Sequence, residues 1–345
     1  MQNFCPETPE QLADALHTLA AKHCAIRLGG NFSKDRLGGR PSRADATVST
    51  SGMRRLLQYD PRDLTISVEA GMPFAELERI LAEHRQMLPL DPPWRAESTV
   101  GGVIATNLSG PRRRLYGTAR DMVIGMTFAT LEGKLVQSGG MVVKNVAGLD
   151  MAKLMVGSFG TLAAIAVVNF KVFPMPEASR TFVAEFATAT EAFAERDRIL
   201  RSVLQPSAID IVNWPPGFRL LIRAQGNTAV LDRFARALPS AQVGDESVWD
   251  EIHEFTPKFL AQHPLGSAVP MSMKLSEMAD VMARLSSDEN KIPTIARAGS
   301  GSMVAHYAEN GPPLAWSGDF VTMEKIKHMF DPERLLNRGR LYGRI

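Results

Sequence analysis

The chain has 345 residues, 45% of them hydrophobic and 22% charged, the make-up of an ordinary globular protein with length for two domains and a core in each. Its net charge of +2 argues against nucleic acid or an anionic membrane surface as partner, and no apolar run reaches the roughly 18 residues of a membrane span. The start, Met1-Gln2-Asn3-Phe4-Cys5-Pro6-Glu7, lacks the basic and apolar regions of a signal peptide, and Cys5 and Cys24 alone make no disulfide framework, so a cytoplasmic location is expected.

In chain order, Thr8-Pro9-Glu10-Gln11 is a helix start. Thr8 caps, Pro9 suits the first helical position and Gln11 completes a capping box. Leu12, Ala15, Leu16 and Leu19 follow at helical spacing and form one core face. Residues 25–28 form a short strand that empties into Gly29-Gly30-Asn31-Phe32-Ser33. Residues 46–50 and 64–70 read as strands by β-branched content and alternation. Pro73 opens a helix to about Gln86, with Phe74, Leu77, Ile80 and Leu81 inward. Leu88-Pro89-Leu90-Asp91-Pro92-Pro93 is stiff and extended.

From Ser98 the chain runs Thr99-Val100-Gly101-Gly102-Val103-Ile104-Ala105-Thr106-Asn107-Leu108-Ser109-Gly110. It continues through Arg112-Arg113-Arg114, Tyr116-Gly117 and Asp121 to a hairpin across Glu132-Gly133, a Lys144-Asn145 turn, Gly157-Ser158-Phe159-Gly160, and a long strand over 162–173. Glycines gather where apolar runs begin or end. Glycine lets backbone amides approach a ligand or take positive φ, and successive amides make anion-binding concavities. The stretch therefore reads as loops cradling a phosphate-bearing cofactor, or equally as a β-rich domain with many turns. In the same way Gly29–Ser33 is a pyrophosphate cradle or a simple turn. The arginine run is a solvated face, or else an anion or partner contact.

Pro174 and Pro176 mark a boundary. Beyond it a strand–helix–strand–strand order is stated twice, at 180–223 and 269–307, with helices at 228–238 and 246–262 between. One antiparallel sheet with helices on one face is expected, so the fold class is α+β. A short helix over 323–330 and Asp331-Pro332 through Asn337-Arg338-Gly339-Arg340 close the chain.

The ordered series Ser109 to Gly117, Val142 to Asp150 and Leu154 to Ile165 resembles the FAD-binding domain of the vanillyl-alcohol oxidase and p-cresol methylhydroxylase flavoproteins. Within that superfamily it is similar to the FAD-binding subunits of bacterial glycolate oxidase, from about residue 5 to the C-terminus. The resemblance implies a p-cresol-methylhydroxylase-type FAD domain over 1–176, a cap over 177–322, and a segment over 323–345 that returns to the FAD domain. It implies non-covalent FAD, because residues 85–176 contain no His or Cys. The FAD site it implies takes Leu28, Gly29, Gly30, Asn31, Phe32 and Ser33 from the first loop, and Ser98, Thr99, Val100, Gly101 and Gly102 from the second. Pro89, Leu90 and Asp91 would wall the flavin ring, with Thr106, Asn107, Gly110 and Gly117 as small lining. Gly160, Ile165, Asn337 and Arg340 would complete it. In the family's closing motif a second proline stands where this chain has Arg338.

Other chemistries lack their signatures. No Gly-x-Gly-x-x-Gly follows a strand, no Gly-x-x-x-x-Gly-Lys-Ser/Thr occurs, and no Gly-x-Ser-x-Gly elbow is present. None of the seven histidines stands at metal-ligand spacing from another, so no metal is expected, and no Cys-x-x-Cys exists for an iron–sulfur cluster. The catalytic relatives of the resemblance carry His-x-Gly-Asp-Gly-Asn-x-His and Glu-His-Gly motifs in the cap; this chain has neither. His306, on a late apolar strand, reads as a structural histidine. Oxidising a 2-hydroxy acid needs a base and a cationic clamp, and 177–320 shows no convincing pair, so the catalytic residues stay unassigned.

Two functions follow from the resemblance. One is the FAD-binding subunit of a glycolate oxidase complex. Its partners would be a D-type flavoprotein and an iron–sulfur F subunit, its substrate a small 2-hydroxy acid, and its seat peripheral at the inner membrane. The other is a self-sufficient FAD-dependent alcohol or hydroxy-acid dehydrogenase using His306.

Overall fold

The computed structural model describes residues 2–39, 41–142, 149–214, 217–287, 291–309, 311 and 319–343. The N-terminal part holds two sheets. A small parallel one carries Ile26–Gly29 and Gln2–Phe4 on either side of Ala46–Ser49. A five-stranded antiparallel one runs Leu56–Asp60, Thr65–Glu69, Ala164–Lys171, Val123–Ala129, Leu135–Gly139. The Pro9–Ala21 helix packs Leu12, Leu16 and Leu19 against both through Val48, Ala129 and Ala166. Thr8 Oγ1 accepts from Gln11 N at 3.2 Å, but the Gln11 side chain accepts from Glu7 N at 2.8 Å, one residue before the expected reciprocal bond.

The Phe74–Glu83 and Val100–Thr106 helices cover the other face of the larger sheet, with Phe74, Leu77, Val103 and Ile104 fully buried against Val68, Met126 and Phe170. The small residues of 100–106 thus form a helix where the glycines suggested a loop. Gly101 has room for no side chain: a Cβ there would lie 2.8 Å from Ala70 Cβ.

The C-terminal part is a seven-stranded antiparallel sheet in the order Gln242–Gly244, Ala178–Phe186, Phe218–Gly226, Ala208–Val212, Thr294–Arg297, Ser302–Tyr307, Ser267–Ser272. The repeated strand–helix–strand–strand order is present, with the inner strands of the two repeats joined at Ile211–Ala296. Helices lie on both faces, not one. Ala189–Leu200, Thr228–Ala237 and Met278–Ser287 bury Phe193, Phe234 and Met282 on one side. Val248–His253 lays Trp249 and Ile252 on the other, against Ala208, Val212 and Leu221. The expected single helix over 246–262 is two, Val248–His253 and Phe255–Gln262. No helix among the described residues is long and apolar enough to cross a membrane.

After this sheet the Phe320–Phe330 helix leads the chain back. Lys327, fully buried, donates to Thr161 O at 2.7 Å, to Asp331 Oδ2 at 2.6 Å and to Leu336 O at 3.2 Å. Ile26 N donates to Leu335 O at 2.8 Å and Asn337 N to Ile26 O at 2.9 Å, so the tail adds a parallel bridge to the edge of the small sheet.

Candidate functional site

The strand Ile26–Gly29 exits into a loop whose amides are left without work. Among the described residues no acceptor meets the N–H groups of Gly30, Asn31, Phe32 and Ser33. Phe32 stands at φ +56°. Side chains are excluded at the loop's first two positions: a Cβ on Gly29 would lie 2.7 Å from the Phe32 ring, and one on Gly30 only 2.1 Å from Thr99 Oγ1. Free successive amides at a strand exit suit an anion.

This loop borders an open cleft walled by both glycine-rich stretches, the kind of concave place where cofactors bind. The structure brings Leu28, Gly29, Gly30, Asn31, Phe32, Ser33, Thr99, Gly101, Gly102, Thr106, Gly160, Ile165, Asn337 and Arg340 to its walls. Lys34, Asp35, Thr50, Phe159 and Ala163 also line it, and sequence reasoning passed them over. Lys34 and Asp35 directly follow the loop and could have been found by adjacency; Phe159 and Thr50 carry no such signal.

The remaining expected residues lie elsewhere. Gly117 caps the Arg113–Tyr116 helix at φ +87°, against Asp121. Pro89, Leu90 and Asp91 form a buried wall tied to the next segment: Gly110 N donates to Leu90 O at 2.7 Å, and Arg112 Nε donates to Asp91 Oδ1 at 2.8 Å. Ser98 is fully buried behind the cleft, and Val100 is in the core. The amides of Ser98, Val100, Gly101 and Gly102 are not free donors. Val100 N bonds Met72 O, Gly101 N bonds Ala70 O at 2.7 Å, and Gly102 N bonds the Thr99 hydroxyl at 3.2 Å. This stretch therefore serves as a wall seated on the first loop. Asn107 caps the Val100–Thr106 helix in the left-handed region, and its Oδ1 is buried without a partner.

Electrostatics favour a bound anion. Lys34 is 7% exposed and its ammonium donates to the hydroxyls of Ser98 and Ser33. Burial lowers its pKa to about 8 against the opposing pull of Glu97 and Glu254. Arg340 is 5% exposed. Its Nη1 donates to Asp35 O, Leu37 O and Gly39 O, and its Nη2 to Asp35 Oδ1 at 2.9 Å. Its Nε remains buried and unpartnered. Asn337 fixes the floor. Its Oδ1 accepts from Leu28 N at 2.8 Å, and its Nδ2 donates to Leu28 O at 2.9 Å and Phe159 O at 2.8 Å.

Arg112–Arg114 do not form a solvated face. Arg112 is mostly buried, its side chain 14% exposed, and paired with Asp91, and the Arg113–Tyr116 helix packs on the strand Ala208–Val212. Burial would raise the Asp91 pKa, but the Arg112 guanidinium overrides it and holds the carboxyl well below its ordinary range. His306 is fully buried; Nε2 meets Thr256 Oγ1 at 2.8 Å and Nδ1 meets Pro293 O at 3.0 Å, with Phe255 and Phe259 around the ring. Both nitrogens are engaged, as a structural histidine requires. The Lys144-Asn145 turn lies outside the described residues.

The lining fits FAD. Free amides, the Lys34 ammonium and the unpartnered Arg340 Nε answer the pyrophosphate oxygens. Leu28, Ala163, Ile165 and Phe159 supply apolar wall for a ring, and glycines hold the backbone close where a Cβ has no space. Residues 3–139 match the family model described as FAD binding domain. The chain is 32% identical to the glycolate oxidase subunit GlcE of Escherichia coli K12, over 97% of this chain and 98% of that one. It is 28% identical to the glycolate oxidase subunit GlcD of Bacillus subtilis 168, over 61% of this chain and 45% of that one. Its fold is that of a solved alkyldihydroxyacetonephosphate synthase, with a TM-score of 0.75 at 19% identity over 97% of this chain and 75% of the other. With a tail-locked cleft fitted to FAD and a GlcE-like sequence from end to end, the chain is an FAD-binding oxidoreductase and belongs to the family of glycolate oxidase GlcE subunits.

Proposed function

We propose that this chain is the FAD-holding subunit of a complex that oxidises glycolate, or a closely similar 2-hydroxy acid, to the 2-oxo acid. The observation that carries the reading is the cleft of free amides at Gly30–Ser33, closed by Asn337 and Arg340, in a chain similar to GlcE over its whole length. FAD, when bound, supplies the hydride acceptor. This chain's residues hold and orient it: the first loop and Lys34 at the pyrophosphate, Thr106 farther along the same wall.

Residues 1–176 together with 323–345 act as the FAD domain, and 177–322 as the cap. The partners are a D-type flavoprotein and an iron–sulfur F subunit, and any seat at the inner membrane comes through them. Two observations support a subunit over a self-sufficient dehydrogenase. The cap carries neither histidine motif of the catalytic type, and His306 has no nitrogen free to act as a base. General-base assistance contributes about 10²–10⁴ in rate, so the isolated, FAD-loaded chain should reduce dye with glycolate at only a trace rate. Mixing with the D-type and iron–sulfur subunits should restore glycolate-dependent dye reduction. Turnover of tens per second by the chain alone, lost on His306→Ala, would overturn the subunit reading.

A further inference from the structure

The glycine-rich exit after Ile26–Gly29 runs straight on into the contact between the two halves of the molecule. Residues 32–37 make a tight turn, with Asp35 N donating to Phe32 O at 3.2 Å and Leu37 N to Lys34 O at 3.0 Å. The tail braces this turn through Arg340, which donates to the carbonyls of Asp35 and Leu37. Arg36 ties the same turn to the half that carries the seven-stranded sheet. Its Nη1 donates to Leu260 O, and its Nη2 to His263 O at 2.8 Å, Pro264 O at 3.1 Å and Gly266 O at 2.7 Å.

These carbonyls close the Phe255–Gln262 helix and the turn after it. The last carbonyls of a helix have no donor within the helix, and their partial negative charge favours a cation. One guanidinium, with its forked donors, answers several of them at once. The helix is also fixed to the N-terminal half at its start and along its side. Glu254, just before it, accepts from Arg95 N at 3.1 Å. Phe259 and Leu260 are buried with Leu37, against Trp94 and Phe159, and Phe159 is a wall of the cleft. Toward the sheet, Thr256 Oγ1 meets His306 Nε2 at 2.8 Å, and Phe255 and Phe259 lie around that ring. The helix thus has one contact with the cleft wall and another with the sheet. The free amides of Gly30–Ser33 and the Arg36 guanidinium belong to one continuous segment.

We propose that Arg36 is a positioning residue that couples FAD binding to the seating of the Phe255–Gln262 helix, and through it of the seven-stranded sheet on the N-terminal half. FAD takes up the amides of Gly30–Ser33 and fixes the segment that ends in Leu37. A fixed segment presents the Arg36 guanidinium and the Leu37 side chain to the helix; a loose one gives up contacts at both. The effect is reciprocal: what FAD adds to the seating of the helix, the seated helix adds to FAD affinity. The proposal depends on the FAD cleft and not on which acid is oxidised, so it stands or falls apart from the glycolate reading.

The test is amide hydrogen exchange over residues 255–266 of the full-length chain, with and without FAD. The Thr228–Ala237 helix, whose Phe234 packs away from this contact, serves as the internal reference for any global stabilisation. FAD should slow exchange at 255–266 about tenfold more than in the reference helix, within the roughly 5–150-fold of typical couplings. Arg36→Gln removes the forked donors; it should cut that ratio to about twofold or less and weaken FAD about fivefold in a fluorescence titration, as reciprocity requires. A brace without coupling would speed exchange equally in both states and leave the ratio intact. That result, or no FAD-dependent slowing at 255–266 in the unmodified chain, would overturn the proposal. Should Arg36→Gln fail to fold, Arg36→Lys keeps the charge without the planar fork and should still lose most of the ratio; the full ratio in Arg36→Lys would overturn the proposal equally.

Discussion

Replacing Asn337 with alanine tests whether the C-terminal tail holds the FAD cleft in shape. The side chain is 3% exposed and makes three hydrogen bonds, one from Leu28 N and two to the carbonyls of Leu28 and Phe159. Losing the acceptor strands a buried amide at a cost of about 1–3 kcal/mol, and the two donated bonds contribute about 1 kcal/mol each. The backbone stands at φ +44°, where alanine costs about 1 kcal/mol more than asparagine or glycine. The expected loss is about 4–6 kcal/mol, a large part of the roughly 5–15 kcal/mol that holds a typical domain folded. Asn337→Gly removes the same bonds without the strain and should lose about 1 kcal/mol less. Urea unfolding of the apo chain reads the stability, and A450 after gel filtration reads FAD retention. Because Leu28 and Gly160 line the cleft beside this side chain, FAD affinity should fall at least about tenfold, the equivalent of 1.4 kcal/mol. A loss below about 1 kcal/mol with full FAD retention would refute the locking role of the tail.

Gly30→Ala drives a Cβ into Thr99, 2.1 Å from its Oγ1, and should cost about 1–3 kcal/mol of overpacking together with most of the bound FAD; Thr99→Ala should recover part of it. Lys34 in the free cleft has its pKa lowered to about 8, and a bound pyrophosphate favours the protonated form. FAD affinity should therefore be constant below pH 8 and fall by up to about tenfold per pH unit above it, a dependence that fluorescence titration should find missing in Lys34→Met. His306 is held neutral with its pKa lowered to about 4 from 6.5. The unfolded chain takes up this proton first as pH falls, so the contribution is intact above pH 6.5 and roughly 3 kcal/mol is lost by pH 4. His306→Gln should flatten that part of a stability–pH curve, and an unchanged slope would remove His306 as its source. Among the described residues no histidine or cysteine lines the cleft, so acid precipitation should release all the yellow colour; a yellow pellet would show a covalent flavin.

Much of the local structure was legible because it is written in local rules. The Pro9–Ala21 helix follows from its cap and its apolar spacing, and the Ile26–Gly29 strand with its loop follows from a short run, alternately buried, that ends in glycines. The cap's repeated strand–helix–strand–strand order is likewise a matter of periodicity. The FAD family was carried by an ordered series of such loops. What neighbours decide was not legible. Whether Val100 and Gly101 donate to a phosphate or to the chain depends on Met72 and Ala70, which stand about thirty residues earlier and meet them only after folding. Arg112–Arg114 look like any solvated run until the cap strand Ala208–Val212 closes over them and Asp91 takes up Arg112. Burial and charge balance are properties of what packs against a residue, and the packing partners here come from the opposite half of the chain. The sequence by itself determined the family, the strands and the glycine-rich exit after Ile26–Gly29. Only the tertiary structure decided which donors stay free, which charges are balanced, and that the tail residues Asn337 and Arg340 sit beside Leu28 and Asp35.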